Sequence, residues 1–352
     1  MTTLSPGLDA PVAATELRGR MLHRVEERIH GVLAEESARW SAVNLRGRVP
    51  VDAVRALVEA GGKRLRPAFC LTGFLAAGGD PAEQLAVDAA AGLEFLHAFA
   101  LIHDDVMDDS RLRRGAPTVH TRHSDEHEAQ GWRGEARRFG ESVAILTGDL
   151  SYSYAERLTG GLPPNARQVW TSLITEMIIG QFLDITVAAE STVDPELSRW
   201  IAVGKSGAYS IHRPLVLGAA IAGRDDLGPA FQEYGTALGE AFQLRDDLID
   251  AYGDADAAGK PTGHDLEQHK MTLLLALAAE SDEQVRTMVS GGTWDSVKLR
   301  TRLDECGVRD GMEARIGRLV DAAREAVSRI AVPTMWRDEL VEMAIQVAYR
   351  DR

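Results

Sequence analysis

Two pairs of aspartates lie together in the chain, Asp104 with Asp108 and Asp105 with Asp109. Apolar residues recur upstream at three- and four-residue steps, which predicts a helix that continues through Asp104. Each pair then shares a helix face, where like charges destabilise a helix by about 0.2–0.5 kcal/mol per pair. A solvated acidic face is the ordinary explanation, but the apolar run that leads into the cluster is typical of a buried helix. We therefore expect a positive partner, and carboxylate oxygens without His or Cys suit Mg²⁺.

A second acidic cluster, Asp246, Asp247 and Asp250, follows about 140 residues later. Two arginines, Arg113 and Arg114, come shortly after the first cluster. Guanidinium groups match phosphate oxygens in a two-pronged geometry, so these arginines are candidate phosphate ligands. Because Mg²⁺ leaves several of its positions to water and substrate phosphates, the pattern predicts a site that binds a phosphorylated substrate together with metal.

The order of these motifs resembles the trans-isoprenyl diphosphate synthases of the polyprenyl synthetase family, and it is most similar to bacterial members that make geranylgeranyl diphosphate. Both DDxxD motifs of that family are intact, at Asp104–Asp108 and Asp246–Asp250. The other matching motifs are GGKRLRP at Gly61–Pro67, ExxH at Glu94 and His97, RRGxPT at Arg113–Thr118, and the pair Lys205-Ser206. The resemblance extends from about Gly61 to Lys270, and the combined order and spacing make it specific.

This resemblance implies a 1'-4 condensation, in which isopentenyl diphosphate attacks the cation that ionisation of an allylic diphosphate leaves. It also implies about three Mg²⁺ ions, which would neutralise the charge that builds on the leaving group. The implied metal ligands are Asp104, Asp108 and Asp246, with Asp250 as a further candidate. The implied catalytic residues are Asp104, Asp105, Asp108, Asp246, Asp247 and Lys205. Since no side chain stands out as a general base, we expect the departing pyrophosphate to deprotonate the product.

The resemblance divides the substrate-binding residues between two diphosphates. Arg113, Lys205 and Lys260 match contacts to the allylic diphosphate, and Lys63, Arg66, His97 and Arg114 match contacts to isopentenyl diphosphate. Gly62, Ser206 and Gln243 complete the expected set, and Phe242 with Gln243 matches residues along the path of the cation. A single helical histidine is more often a core residue, but the position of His97 three residues after Glu94 favours a ligand.

Product length is expected to depend on Phe99 and Ala100, five and four residues before Asp104. The fifth residue before the motif is aromatic, the fourth is small, and the motif itself carries no insertion. This pattern resembles that of synthases that make geranylgeranyl diphosphate (C20). Farnesyl diphosphate (C15) and longer products are the alternatives. In the loop after the second motif, His264 stands where bacterial members usually carry an acid, and we expect activity to survive this departure.

The charge balance of the 352-residue chain, 39 basic against 53 acidic residues, gives a formal net charge of −14. This argues against nucleic acid or an anionic membrane as the main partner. Cys70 and Cys306 lack metal-ligand spacing and are expected to be free thiols in a reducing compartment. Neither a membrane-spanning run of about 18–20 apolar residues nor a signal peptide is evident in the sequence. We expect a cytoplasmic protein, and the resemblance implies a homodimer.

Helical periodicity without sustained alternation predicts an all-α fold, and the resemblance implies the isoprenoid synthase helical bundle around a central cavity. Residues 1–14 are predicted to be a flexible tail and residues 15–352 a single polyprenyl synthetase domain. The polar stretch from His120 to Arg138 is interpreted as an exposed loop, and residues 253–270 as another loop. From Met271 to Arg350 we expect three or four helices, broken at Gly291-Gly292, within 307–311 and at Pro333.

Three other functions compete with this interpretation. A class I terpene cyclase shares the fold, but its second metal motif is normally of the NSE/DTE type, unlike the DDxxD that begins at Asp246. A non-catalytic partner subunit would be expected to lack some of the acids or cations, and the main ones are present. A carboxylate-bridged di-iron bundle needs Glu-x-x-His pairs on two helices, and only Glu94 with His97 fits that pattern convincingly.

Overall fold

The computed structural model describes residues 13–190, 192–253 and 263–350. These residues are almost entirely helical, which confirms the all-α prediction. The helices are α1 (Ala14–Val43), α2 (Val49–Glu59), α3 (Leu65–Ala76), α4 (Gln84–Met107), α5 (Val119–Gln130), α6 (Ala136–Thr159), α7 (Pro164–Glu190), α8 (Pro195–Ile201), α9 (Arg213–Ile221), α10 (Gly228–Tyr252), α11 (His264–Glu267), α12 (Leu273–Ser281), α13 (Glu283–Val289), α14 (Ser296–Glu305), α15 (Val308–Ser328) and α16 (Thr334–Ala348). Short 3₁₀ turns cover Leu45–Arg48 and Asp225–Leu227, and β1 (Leu112–Arg113) pairs with β2 (Ala116–Pro117) in a small antiparallel hairpin.

Helix α4 is the core helix that carries the first acidic cluster at its C-terminal end. Almost all of its residues from Ala86 to Leu96 are buried, and burial on every side is typical of a central helix. It packs against α1, α3 and α6. The contact with α6 is close, since a Cβ on Gly92 would lie 2.9 Å from the side chain of Thr159. The surrounding helices therefore hold the acidic end of α4 in one position.

Helices α8 and α9 are joined by a π-helical segment, Ala202–His212. Segments of this kind are rare, and those that do occur are often found at functional sites. Their wider turn changes the direction of the side chains. Lys205 and Ser206 lie in this segment. It meets α10 at two glycines, where a Cβ on Gly207 would lie 2.6 Å from the Cα of Gly239. This close approach brings Lys205 to the part of the molecule that contains the second acidic cluster.

The prediction of an exposed loop between His120 and Arg138 is wrong. Most of this stretch forms α5, and His120, His123 and His127 are buried on a helix that packs against α6. Histidine rings can pack as apolar bodies with a polar tip, so a pattern based on hydrophobicity missed this amphipathic helix. A glycine on α6 makes the contact possible, because a Cβ on Gly140 would collide with the carbonyl oxygen of His120.

The C-terminal part contains more helices than predicted, because residues 271–350 form the five helices α12 to α16. The additional break falls at Asp282, whose carboxylate accepts a hydrogen bond from the backbone N–H of Val285 and so caps α13. Gly311 lies inside α15 rather than at a break.

At the other end of the chain, Ala14 is the first residue of α1, and residues 1–12 of the predicted tail lie outside the described residues.

The expectation that no apolar run has membrane-spanning length is wrong, because two of the described helices, α4 and α7, are long and apolar enough to cross a membrane by length and composition. Core helices of soluble proteins also meet these criteria. The most apolar 18-residue window is 67% buried in α4 but only 28% buried in α7. Burial within the bundle therefore accounts for α4, whereas α7 presents an apolar face to its surroundings.

Candidate active site

The first acidic cluster lies where α4 ends. Asp105 is buried, and its Oδ1 accepts a hydrogen bond from Arg113 Nε at 2.7 Å. Burial raises the pKa of Asp105 to about 6, although Arg113 opposes this change. Asp104 and Asp108 keep a quarter of their side chains exposed. Asp105 therefore holds an arginine, and the other two carboxylates remain accessible.

Two lysines from more distant parts of the chain reach the same cluster. Lys205 Nζ lies 2.6 Å from Asp184 Oδ2 and 3.6 Å from Asp104 Oδ1. Lys270 Nζ lies 3.5 Å from Asp108 Oδ2 and 3.7 Å from the same oxygen of Asp184. Burial alone would raise the pKa of Asp184, but Lys270 and Lys205 outweigh it and hold this pKa below its usual value. Burial also acts against the charge on Lys270, yet the surrounding aspartates raise the pKa of this lysine. Positive partners thus surround the first cluster, as its charge requires.

The second acidic cluster divides into one accessible and two buried carboxylates. Asp246 is 42% exposed and forms an ion pair with Arg350 near the C-terminus. Asp247 is buried and accepts hydrogen bonds from Gln243 Nε2 at 2.7 Å and from the backbone N–H of Leu274 at 3.0 Å. Burial raises the pKa of Asp247 to about 7. Asp247 therefore links α10, on which it lies, to the start of α12.

Asp250 is also buried, and it binds the chain where the described residues resume after residue 262. Its Oδ2 accepts a hydrogen bond from the backbone N–H of Asp265 at 3.1 Å, and its carbonyl oxygen accepts one from Gly263 at 2.7 Å. The structure therefore gives Asp250 a contact to the segment around α11.

A basic cluster surrounds the start of α3. Arg64 has a φ of 48° and donates hydrogen bonds to Glu94 at 2.7 Å and to Glu26 at 2.6 Å. These contacts tie the start of α3 to α4 and α1. Arg114 has a φ of 52° and donates a hydrogen bond to the carbonyl oxygen of Gly61. The contacts hold several guanidinium groups close together, which favours binding of an anion.

Arg66 and His97, both partly buried, contact the buried Tyr209 within this cluster. The guanidinium of Arg66 lies 4.3 Å from the ring centroid of Tyr209, and His97 is 6.3 Å from the same ring. Burial, followed by the charges of Arg66 and Arg114, lowers the pKa of His97 well below its usual value. Arg66 Nε, His97 Nδ1 and Tyr209 Oη are buried without a hydrogen-bond partner among the described residues. These three atoms are therefore available to a polar ligand.

One cavity of about 970 Å³ connects the acidic and basic clusters. Its polar walls include Asp104, Asp246 and Lys205 as well as the basic cluster. Its remaining walls are apolar, formed by Phe99, Ala100, Leu101, Met107, Met177, Ile178, Phe182, Ile185 and Phe242. A cavity of this size with a few convergent charged groups is typical of a ligand-binding site.

The residues present fit Mg²⁺. Asp104 Oδ1 is buried without a hydrogen-bond partner in the described chain, and it is an oxygen donor of the kind that Mg²⁺ prefers. Within residues 13–190, 192–253 and 263–350, no three His, Cys, Asp or Glu side chains form a cluster that could hold a metal by themselves. Mg²⁺ usually takes one or two protein carboxylates and completes its octahedron with water and phosphate, so separated carboxylates suit it.

Most of the predicted site residues line the large cavity. These are Gly62, Lys63, Arg66, His97, Phe99, Ala100, Asp104, Arg114, Lys205, Ser206 and Asp246. Gln243 and Asp247 instead line a smaller cavity of about 80 Å³, which Lys205 and Ser206 also border. Arg113 contacts Asp105, and Asp108 contacts Lys270. The predicted ligand Lys260 lies outside the described residues.

Four residues of this site were absent from the predicted set: Asp184, Tyr209, Lys270 and Arg350. The sequence carried a signal for Asp184, which follows the polar Gln181 by three residues on α7, and for Lys270 at the end of the second motif region. Tyr209 follows Lys205 by four residues, as expected for one helix face. Arg350 had no such signal, because only the fold brings the C-terminus to Asp246.

The sequence matches the model of the family described as Polyprenyl synthetase over residues 50–298. A short chain isoprenyl diphosphate synthase from Methanothermobacter thermautotrophicus is 32% identical over 259 residues, which cover 72% of this chain and 74% of the relative. A geranylgeranyl diphosphate synthase from Mycobacterium tuberculosis is 37% identical over 235 residues, covering 64% and 61% of the two chains. Other relatives carry the names farnesyl, geranylfarnesyl and nonaprenyl diphosphate synthase, so similarity leaves product length open.

Solved structures match nearly the whole chain. The geranylgeranyl pyrophosphate synthase from Corynebacterium glutamicum, crystallised with isoprenyl diphosphate and magnesium, is 35% identical with a TM-score of 0.86. The match covers 94% of this chain and 99% of that one. The family match covers more than half of the sequence, and the fold agrees with it. The chain therefore belongs to the polyprenyl synthetase family of prenyltransferases.

Proposed function

We propose that this protein is a Mg²⁺-dependent prenyl diphosphate synthase that condenses isopentenyl diphosphate with an allylic diphosphate and makes mainly geranylgeranyl diphosphate. One observation carries the proposal: a single cavity joins accessible carboxylates, a separate basic cluster and an apolar wall. Such a cavity has a place for each of two diphosphates and for the hydrocarbon chain. The geranylgeranyl product also agrees with the small Ala100 beside Phe99 in the apolar wall.

In this proposal Asp104, Asp108 and Asp246 hold the Mg²⁺ ions, about three in number. Asp250 holds the segment around α11 in place. Bound Mg²⁺ supplies Lewis-acid stabilisation of the diphosphate leaving group. Lys205 adds positive charge at the same end of the cavity, and Asp184 orients its ammonium group at 2.6 Å. Asp105 plays the same part for Arg113. The allylic diphosphate therefore binds at this end, and Lys260 is proposed to reach it as well.

Isopentenyl diphosphate is proposed to bind the basic cluster of Lys63, Arg66 and Arg114. His97 remains neutral because of its lowered pKa, so it contributes a hydrogen bond without adding a further charge among the arginines. The apolar wall excludes water from the cation that forms when the allylic diphosphate ionises. The departing pyrophosphate then takes the proton that the product loses.

The two-site arrangement is tested with Arg114→Ala and Lys205→Ala. Arg114→Ala should raise the KM for isopentenyl diphosphate by about 10- to 100-fold, since a hydrogen bond to a charged group is lost. Lys205→Ala should instead raise the KM for the allylic substrate. Purified protein is incubated with both substrates and Mg²⁺, with an EDTA-treated sample as control, and products are identified by mass. Equal effects of the two substitutions on both substrates would contradict the division.

Product length is tested with two substitutions at the expected floor of the cavity. Phe99→Ala should lengthen the product, because it removes the ring that lines the apolar wall, and Ala100→Phe should shorten it toward C15. A product distribution that neither substitution changes would place the floor elsewhere, for example near Ile174 and Ile178 on α7.

The proposed assembly is a homodimer in the cytoplasm, without a membrane span or nucleic acid as partner. Helices α6 and α7 expose an apolar face that includes Ile145, Leu146, Ile179 and Phe182, each at least 45% exposed. Every exposed residue of α7 from Thr171 to Ala189 is uncharged. Because these exposed residues of α7 are uncharged, two copies with a net charge of −14 can approach each other along this helix. Residues 15–352 are proposed to be one domain, since Arg18 of α1 and Glu339 of α16 form an ion pair.

A further inference from the structure

His103 bridges α4 and α6 beside the first acidic cluster. Its Nε2 lies 3.1 Å from the backbone carbonyl oxygen of Ile145, and its ring lines the large cavity. A carbonyl oxygen can only accept, so this contact requires the proton on Nε2. Asp149 Oδ1 lies 3.7 Å from the same nitrogen. The imidazole is thus anchored to the neighbouring helix rather than directed at a diphosphate.

The ring can take this position because residue 148 is a glycine. A Cβ on Gly148 would collide with Cδ2 and Nε2 of His103. Any larger residue would push the ring away from α6, and the hydrogen bond to Ile145 would be lost. Gly148 therefore determines how deeply His103 packs against α6.

His103 in turn contacts Phe99, the residue one helical turn before it. The two ring centroids are 4.6 Å apart with planes tilted by 59°. On its other side Phe99 contacts Tyr152 of α6, with centroids 5.3 Å apart. Contacts between rings at such distances favour a defined relative orientation. Phe99 is therefore held between one ring from its own helix and one from α6.

We propose that His103 is a specificity-determining positioning residue, which holds the ring of Phe99 against α6 and thereby sets the length of the prenyl product. This inference rests on the proposed function, because it assigns a second element to the floor of the same apolar cavity. Product length then depends on the contact of His103 with Gly148 and Ile145 as well as on the size of residue 99.

The decisive experiment is a double-mutant cycle of His103→Ala and Gly148→Ala with product masses as the readout. His103→Ala should raise the ratio of longer products to the wild-type main product by about tenfold, the effect typical of small size changes in an apolar pocket. Gly148→Ala should shift products to shorter chains, because the methyl group pushes the His103 ring into the cavity. In the His103→Ala background, Gly148→Ala should have no further effect, since the group it displaces is absent.

Tyr152→Phe serves as the matched control, because it keeps the ring that contacts Phe99 and should leave product length unchanged. A shift by Gly148→Ala that persists unchanged without His103 would overturn the proposal, as would a Gly148→Ala distribution equal to that of the wild type. If His103→Ala fails to fold, a Gly148→Ala distribution equal to that of the wild type still overturns the proposal. If Phe99→Ala lengthens the product and His103→Ala does not, the role of His103 fails and the proposed function stands. If the wild type makes no prenyl diphosphate, the proposed function itself fails.

Discussion

At the scale of single residues, the site contains carboxylates with opposite effects on stability. Asp184 neutralises two lysines and has a lowered pKa. Asp104 lies in a crowded acidic cluster, and its buried Oδ1 lacks a hydrogen-bond partner in the described chain, with Lys205 Nζ no nearer than 3.6 Å. A charge that satisfies its neighbours stabilises the fold, and a charge kept for a ligand contributes little until the ligand binds. The two aspartates should therefore differ when they are removed.

We expect Asp184→Ala to lower the free energy of unfolding by about 2–3 kcal/mol, because Lys205 and Lys270 lose their shared carboxylate in a mostly buried position. Asp104→Ala should change it by no more than about 0.5 kcal/mol while nearly abolishing turnover. Urea unfolding in the presence of EDTA measures the first quantity and product formation the second. Full turnover by the Asp104 variant with saturating Mg²⁺ would show that its metal role is wrong.

His212 gives the protein a predictable dependence on pH. Burial lowers the pKa of His212 to about 4, below its ordinary value of 6.5. Between these values His212 holds more protons in the unfolded chain than in the folded one, so its contribution to stability should fall as pH is lowered, by at most about 1.4 kcal/mol per pH unit. The raised pKa values of Asp105 and Asp247 act in the opposite direction, so the prediction concerns the difference between two proteins. Relative to the wild type, His212→Gln should lose less stability, or gain more, as pH falls from 6.5 to 4. Urea denaturation of the wild type and the variant across this range measures the difference, and equal pH dependences would contradict the prediction.

At the scale of elements, the helices that carry the site approach each other through glycines. Helices α3 and α9 illustrate this, since a Cβ on Gly73 would collide with the carbonyl oxygen of Leu215 and one on Gly218 with that of Cys70. The backbones are therefore in direct contact. This close packing leaves the start of α3, with Lys63 and Arg66, little freedom to move.

Gly218→Ala should therefore lower the free energy of unfolding by about 1–3 kcal/mol, because neither backbone can withdraw easily. Gly311→Ala is the matched control, since Gly311 lies within α15 and a Cβ there meets nothing within 4 Å in the described chain. That substitution should raise stability by about 0.5–1 kcal/mol through helix propensity. Chemical denaturation measures both, and equal effects would contradict the close contact of α3 with α9.

At the scale of the whole molecule, helices α6 and α7 expose several large apolar side chains to the surroundings of the single chain. Some of these side chains, such as Ile178 and Phe182, also line the large cavity. A cavity wall that is half exposed to solvent would let water reach the cation that the cavity must protect. A second copy on the apolar face of α6 and α7 would cover the wall, which is a physical reason for a dimer.

We expect the wild-type protein to sediment at twice the 38.2 kDa of one chain, and Ile179→Glu to sediment as a single chain. The introduced carboxylate would have to lose its water within an apolar interface. Val297→Glu is the control, because Val297 is 77% exposed on α14, outside this face. Analytical ultracentrifugation measures the masses, and a monomeric wild type would contradict the proposed assembly.

The sequence alone determined the helical class, the family and the residue types at the cavity, because these depend on local periodicity and on short motifs such as Asp104–Asp108. The family resemblance assigned Arg66 and His97 to one diphosphate and Lys205 to the other, and all three residues line the large cavity. Hydrophobic periodicity failed for α5, where buried histidines conceal an amphipathic helix. Motifs and periodicity report on neighbours along the chain, so they cannot report which face of a polar stretch becomes buried.

Only the tertiary structure decided how the charges are shared. Asp105 and Asp247 belong to the same motifs as Asp104 and Asp246, yet each is buried and bound to another side chain. Asp184 and Arg350 join the site from helix α7 and from the C-terminus. The strength of a charge pair depends on the distance between the two groups and on their burial in the folded chain. Spacing along the sequence gives neither quantity for residues that are far apart in the chain. The contact of His103 with Gly148 is of the same kind, since packing of α4 on α6 creates it.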